Sequence, residues 1–486
     1  MTLTLNDSSL FRQAAFIAGQ WRDATGDQRI DVDNPADGSL VGQVPACSAQ
    51  DTQDAIEAAR IAQVAWQRTT GSQRGTVLME WHRLILENVE DLALIMTAEQ
   101  GKVLAEARGE VRYAASFFKW YAEEATRAEG QVMTTADPHR RVLVLKQPVG
   151  VTAAITPWNF PLAMITRKCG PAIAAGCSMV IKPSELTPFS ALALAALGER
   201  AGIPAGLLSV VTGWPADVGK VLTDSPVVRK LTFTGSTGVG KILIRQSADT
   251  VKKLSLELGG NAPVLVFDDA RVGLAADGIM QSKFRNAGQT CVCANRVLIQ
   301  DGIWDRLLPE LASRVETLRV GHGMDPDSTV GPLINDAAVQ KVRGHVEDAL
   351  AKGARYVGAP LRIEGRFVWP VVLAGVTTDM RVAHEETFGP VLPLFRFKTE
   401  EEAVRIANDT PFGLASYFFT DDIRRIWRVG EALEFGMIGH NTGSISMESV
   451  PFGGVKESGL GREGGHAGME EFLEIKSLHL GGLDVS

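Results

Sequence analysis

Cys291 and Cys293 close the segment Phe284-Arg285-Asn286-Ala287-Gly288-Gln289-Thr290-Cys291-Val292-Cys293 and make up two of the chain's five cysteines. No proline or long apolar run lies nearby, so the segment reads as a turn that presents a thiol. A thiol attacks only as thiolate, and its chemistry needs a proton acceptor and a group that stabilises the atom attacked. Glu257 is a candidate acceptor. It ends the alternating run Leu254-Ser255-Leu256-Glu257-Leu258, and apolar surroundings would raise its carboxyl pKa towards neutrality, as a general base requires. Asn159, between the two prolines of Thr156-Pro157-Trp158-Asn159-Phe160-Pro161, offers an amide donor to an oxyanion. Each also has a plainer reading, as a half-exposed strand-end glutamate and a structural turn asparagine.

Other residues could hold a ligand. Gly235-Ser236-Thr237-Gly238-Val239-Gly240 follows the strand-like Leu231-Thr232-Phe233-Thr234, and glycines at a strand-to-helix turn let backbone N–H groups and the helix dipole meet a phosphate. The G-x-x-G-x-G spacing departs from the usual dinucleotide fingerprint, so a simple tight turn fits as well. Lys182-Pro183-Ser184-Glu185 supplies a cation and a carboxylate suited to a phosphate and a ribose diol, or merely solvated loop charges. Arg167 and Arg285 could clamp a carboxylate bidentately, or could form surface ion pairs. Cys293 could be a spectator. In an extended chain residues i and i+2 lie about 6.6 Å apart, near the disulfide limit of about 7 Å, so a reversible Cys291–Cys293 bond needs a bent loop.

These residues need a scaffold. From Gly150 to Gly260 short β-branched runs alternate with helical segments: strands at VTAAITP, SMVIKPS, LLSVVTG, KLTFTG and KKLSLELGG, and helices across 162–176, 188–201, 215–223 and 238–247. That alternation predicts an α/β doubly wound parallel sheet, which binds ligands at the carboxyl ends of its strands. A second alternating region runs from Pro263 to about Asn441. Before them, helices are expected from Asp51, with Asp51 and Thr52 as cap candidates, then over 73–98 and 103–127. The β-rich piece 139–148 needs a partner, and we expect it to project and pair with another subunit, with the terminal strand 474–483 as a candidate partner.

A net charge of −8 over 486 residues with no Lys/Arg stripe argues against nucleic acid or an acidic membrane as partner. No apolar run approaches the roughly 18 residues of a membrane span. The start MTLTLNDSSLFRQ carries no secretory signature. Sparse cysteines suggest a reducing, cytoplasmic setting, and scattered histidines with no CxxC pair predict no metal site.

Seven stretches taken together, TPWNFP (156–161), IKPSELTP (181–188), FTGSTGVG (233–240), LELGGNAP (256–263), FRNAGQTC (284–291), EETFGP (385–390) and PFGGVKESGLGREGG (451–465), resemble the aldehyde dehydrogenase superfamily across essentially the whole chain. Within it, ITRK (165–168), KFRNAGQTCVCANR (283–296) and HNTGSIS (440–446) are most similar to the succinate-semialdehyde dehydrogenases. The resemblance implies an aldehyde dehydrogenase-like fold. A Rossmann-type NAD(P)-binding domain would span 1–130 and 150–258 and an α/β catalytic domain 259–460. A small β oligomerisation domain would come from 131–149 and 470–486, giving a homodimer or homotetramer. It implies Cys291 as nucleophile, Glu257 as base for thioester hydrolysis and Asn159 in the oxyanion hole. It implies cofactor contacts at Trp158, Lys182, Pro183, Ser184, Glu185, Gly235, Ser236, Leu258, Glu386 and Phe388. Arg167, Arg285 and Ser446 would bind the carboxylate of a small semialdehyde, and Cys293 would form a redox switch. Glu185 would bind a 2′-hydroxyl and repel a 2′-phosphate, favouring NAD over NADP. His440 departs from the apolar residue usual before NTG, and Met447 to Val450 depart from the usual run before PFGG. Both put the substrate's chain length in doubt, with glutarate semialdehyde or 2-oxoglutarate semialdehyde as alternatives. A cofactor-independent thiol hydrolase is the remote alternative, for which no paired histidine base is evident.

Overall fold

In the computed structural model, which describes residues 3–483, the alternation between Gly150 and Gly260 closes into an eight-stranded sheet. Its five inner strands, in the order Leu208–Val210, Ser178–Lys182, Val151–Ile155, Val228–Thr234 and Lys253–Glu257, are all parallel. Parallel neighbours need crossovers, and the helices Ala163–Ala175, Phe189–Arg200, Pro215–Asp224 and Thr237–Ser247 supply them. The sheet's edges are antiparallel: Ala15–Ile17 with Gln20–Arg22 at one end and Gly459–Leu460 at the other.

Strand order reverses between Val151–Ile155 and Val228–Thr234, which are paired. A crevice opens at such a switch point, outside the carboxyl ends. Register sets what surrounds it. Ile155 pairs with Lys182 and Thr234 with Glu257, so the Trp158–Asn159 turn, Lys182, Gly235 and Glu257 all leave the sheet on the same side.

A second sheet of seven strands faces this crevice, ordered Arg355–Val357, Val371–Ala374, Val391–Phe397, Ala294–Gln300, Ala262–Val266, Ala415–Phe419 and Met437–His440. Only its first strand is antiparallel to its neighbour. The cysteine segment lies between the helix Val272–Phe284 and the strand Ala294–Gln300, anchored at both ends in buried structure.

Three expectations change in detail. The first long helix is Ala49–Trp66, and its cap is Ser48. Ser48 Oγ accepts the Asp51 N–H, while Asp51 Oδ2 accepts the Ser48 N–H at 2.8 Å, a reciprocal capping box that moves Asp51 to the third helical position. The helix expected over 73–98 is two, Gly71–Glu87 and Val89–Gln100, divided at Asn88 with φ −109° and ψ 24°. The strand Arg141–Pro148 pairs with Gln131–Thr134 on one side and along its full length with Leu473–Leu480 of the same chain on the other. The terminal strand is therefore an internal partner, where pairing with another subunit was expected. Residues 1–2 and 484–486, at the outer ends of two of the expected segments, lie outside the described residues.

Candidate active site

A cavity of about 310 Å³ occupies the crevice between the two large sheets. It is lined by Trp158, Asn159, Arg167, Gly235, Ser236, Leu258, Arg285, Cys291, Glu386, Phe388 and Ser446. Lys182, Pro183, Ser184, Glu185, Glu257 and Cys293 are not among its lining residues. Tyr113, Phe160, Met164, Lys341 and Phe452 line it too. The sequence reading missed them, because Tyr113 and Met164 fall within long helical runs where an apolar stripe looks like core.

The cysteine segment owes its shape to two residues in the left-handed region, Asn286 at φ 52° and Ala287 at φ 55°. Neither conformation is cheap outside glycine, and a network of bonds holds them. Glu106 Oε1 accepts the Asn286 N–H at 2.8 Å, Gln289 Nε2 donates to Asn286 O at 3.2 Å, and Gln289 Oε1 accepts the Ile334 N–H at 2.9 Å. The Asn159 turn is tied to the same segment. Asn159 Nδ2 donates to Gln289 O at 3.0 Å, Asn286 Nδ2 donates to Asn159 O at 3.0 Å, and Lys102 Nζ reaches the same carbonyl at 2.7 Å. Gly260 permits close approach, since a Cβ there would lie 2.4 Å from Cys291 O.

Burial, reinforced by the Glu386 and Glu257 carboxylates and opposed by Arg167 and Arg285, pushes the Cys291 thiol up to about 12. Cys291 keeps part of its surface open, yet its sulfur stands among protein groups that hold it as a thiol. Attack therefore needs a proton acceptor at the moment of reaction. The Glu257 carboxyl is held well above the usual carboxylate range by burial and by Glu463, against the pull of Arg167, Lys168 and Arg462. It is 2% exposed and its Oε2 has no hydrogen-bond partner within the protein. It sits behind the cavity wall, against Gly453, where a Cβ would come within 2.8 Å of Oε1. A half-exposed strand-end glutamate, the plainer reading, is not what the fold makes of it.

Arg167 is 1% exposed, stacked 4.0 Å from the Phe452 ring centre. Its Nε lies 2.9 Å from Glu463 Oε2 but too poorly aligned for a hydrogen bond, which leaves Nε and Nη2 without partners. Arg285 is exposed, with its guanidinium 5.3 Å from the Phe160 ring centre. Burial raises Glu386 to about 7, against the Gly260 N–H that Oε1 accepts at 3.0 Å. Phe388, at φ 56°, sets its ring edge-on to Trp158 at 5.6 Å. Cys293 is fully buried with Sγ 3.4 Å from Lys283 Nζ. His440 points elsewhere, Nε2 to Thr420 O at 2.9 Å and ring against Phe418. It does not line the cavity; Ser446 is what that segment contributes to the lining.

A dinucleotide fits these groups by their chemistry. Ser236 caps the helix Thr237–Ser247, its Oγ accepting the Val239 N–H, and a helix start of this kind suits a pyrophosphate. Gly235 is required because a Cβ would meet the Phe233 ring at 2.3 Å. At the neighbouring strand end, the buried Lys182 pairs with Glu185 at 2.9 Å, while Ser184 Oγ accepts the Leu186 N–H at 3.2 Å. Trp158 and Phe388 offer flat apolar surface beside Cys291. Among the described residues, no group of three or more His, Cys, Asp or Glu could hold a metal ion.

The family model described as the aldehyde dehydrogenase family matches residues 21–478. A succinate-semialdehyde dehydrogenase [NADP(+)] of Escherichia coli strain K12 is 55% identical over 481 residues, 99% of this chain and 100% of that protein. A glutarate-semialdehyde dehydrogenase of Pseudomonas putida is 55% identical over 476 residues, 98% of this chain and 99% of the relative. An aldehyde dehydrogenase crystal structure from Brucella melitensis biovar abortus superposes with a TM-score of 0.98 at 54% identity, covering 99% of both chains.

Proposed function

The chain belongs to the aldehyde dehydrogenase family, uses a nicotinamide cofactor, and from that premise we propose that it oxidises succinate semialdehyde to succinate. The observation that carries the choice of substrate is Arg167. A fully buried guanidinium with two unpartnered nitrogens, sharing a cavity with Cys291 and Arg285, is matched by an anion on the substrate. The carboxylate facing it, Glu463, is shared with the buried Lys168, so the two cations keep an excess of positive charge for a substrate anion to balance.

In this reading Cys291 Sγ adds to the aldehyde carbon as its proton passes to solvent water, which the open part of its surface admits, forming a thiohemiacetal oxyanion. The Asn159 amide and the Cys291 backbone N–H receive the oxyanion. Asn159 Nδ2 already spends one N–H on Gln289 O, and its second is the one left to donate. The chemistry a bound nicotinamide supplies is acceptance of hydride, leaving a thioester on Cys291. Glu257 takes a proton from the water that hydrolyses the thioester, and its unpartnered Oε2 is the oxygen to do so. Arg167, Arg285 and Ser446 hold the carboxylate. Lys182, Pro183, Ser184 and Glu185 take the adenosine ribose, Gly235, Ser236 and Leu258 the pyrophosphate side, Trp158 the cofactor edge, and Glu386 with Phe388 the nicotinamide ribose. NAD is favoured over NADP because Glu185 already occupies Lys182, leaving a 2′-phosphate facing a carboxylate.

The eight-stranded sheet then serves as the cofactor-binding part, the seven-stranded sheet as the catalytic part, and the small sheet as the assembling part of a cytoplasmic homodimer or homotetramer. Cys293 acts as a redox switch only if its sulfur leaves Lys283. Glutarate semialdehyde is the second reading, favoured by an equally similar relative with that name.

Steady-state rates with succinate semialdehyde, glutarate semialdehyde and butanal, each with NAD and NADP, test this. The expected order of kcat/KM is succinate semialdehyde, glutarate semialdehyde, then butanal by a wide margin, with NAD ahead of NADP. Equal efficiency with butanal would remove the carboxylate site from the reading.

A further inference from the structure

Tyr113 sits in the middle of the helix Leu104–Glu124 and lines the same cavity as Arg167, Arg285 and Ser446. Its ring is braced edge-on by Phe117 at 5.0 Å, and Phe117 also lies under the Arg167 guanidinium at 5.3 Å. The phenol oxygen is sealed from solvent, yet it makes no well-formed hydrogen bond within the protein, although the Ser446 hydroxyl lies beside it. Both arginine cations act on it electrostatically. A buried hydroxyl without a partner costs free energy, and this one shares its surroundings with the unpartnered Arg167 nitrogens. Tyr113, Arg167, Arg285 and Ser446 all line the one cavity, so their donors are complementary to a single acceptor group held there.

We propose that the Tyr113 hydroxyl is a specificity-determining donor to the substrate's terminal carboxylate, working with Arg167, Arg285 and Ser446. A carboxylate presents two oxygens with about four acceptor positions, more than a single guanidinium fork fills. The two arginines supply charge, and the phenol and the serine supply neutral donors to the lone pairs that remain. Because the Phe117 contact fixes the ring, Tyr113 selects for where the carboxylate lies as well as for its presence.

This inference rests on the carboxylate-aldehyde reading above, and the test separates the two. Kinetics of wild type and Tyr113→Phe are compared on succinate semialdehyde and butanal, together with thermal melting of both proteins with and without succinate. Loss of a hydrogen bond to a charged group is expected to lower the variant's preference for succinate semialdehyde over butanal about tenfold, mainly through KM. The ligand-free variant should melt no lower than wild type, since an unsatisfied buried hydroxyl has been removed, while the protection given by succinate shrinks. If the variant keeps the wild-type preference and the wild-type protection by succinate, Tyr113 is packing only. If wild type itself shows no preference for the carboxylate aldehyde, the substrate reading fails first.

Discussion

Glu257 has a raised carboxyl, so it is in its acid form at pH values where an ordinary glutamate is ionised. Only the ionised form can take a proton from water, and that form is lost as pH falls through the raised pKa. Steady-state turnover is therefore expected to rise with pH across this range. Glu257→Gln should remove the dependence and lower kcat by about 10²-fold or more. It should leave the first turnover in place, because thiohemiacetal oxidation precedes hydrolysis. Stopped-flow absorbance of the reduced cofactor checks this: a burst close to one per active site followed by a slow steady state is expected, and a variant with neither burst nor turnover would place Glu257 before the oxidation. The sequence pointed to Glu257 through its place at a strand end, but not to its burial, which depends on Glu463, Arg462 and Gly453, some two hundred residues away. Tyr113 was illegible for the opposite reason. On a helix, its i+4 spacing to Phe117 is that of core, and only the arrival of Arg167 from another helix gives its hydroxyl a purpose.

The cysteine segment works as an element because three consecutive residues, Asn286, Ala287 and Gly288, have positive φ. Gly288 has two reasons to be glycine. Its φ is 76°, and a Cβ would stand 2.4 Å from the Gly389 carbonyl oxygen, in the segment that carries Glu386 and Phe388. Gly288→Ala therefore combines a left-handed cost of about 1–2 kcal/mol with a clash against backbone that cannot rotate away. Lower stability in urea unfolding and at least a tenfold loss of kcat are expected together; a variant matching wild type in both would show that the segment is not held as described. The parallel sheet was readable because β-branched runs and helices alternate in the sequence itself. The break at Asn88 was not, since 73–98 holds no proline and the turn shows only in the fold, where Asn88 Nδ2 donates back to Leu84 O at 2.8 Å. The first helix's cap was missed by three residues, because Asp51 and Ser48 both suit a cap and only the reciprocal bonds assign them.

At the scale of the whole molecule, the small sheet is the part least accounted for by a single chain. Its outer strands, Gln131–Thr134 and Leu473–Leu480, have apolar side chains in the open: Val132 is 74% exposed, Ile475 71%, Met133 48% and Leu478 44%. Each outer strand also has one edge unpaired within the sheet, and a long apolar edge in water invites another chain to pair with it. Scattered exposed apolar residues need no explanation, but the register sets Val132 and Leu478 together on one face, both opposite Leu143, and Met133 and Ile475 on the other, and apolar rows of this kind are what interfaces cover. Full burial of a side chain such as Val or Ile is worth about 1.5–3 kcal/mol, so a few of them, repeated by symmetry, can hold an oligomer together. Val132→Lys with Leu478→Lys, both opposite Leu143 and so on one face of the sheet, places four like charges, two from each chain, at a two-fold interface. Sedimentation velocity is expected to show the wild type as a dimer or tetramer and the double variant shifted to a smaller species. Both residues are remote from the cavity lining, so unfolding can be told apart by circular dichroism. A folded double variant that sediments as the wild type does would move the interface to another surface, such as the exposed apolar side chains of Val239, Ile242 and Ile244 on the helix that Ser236 caps.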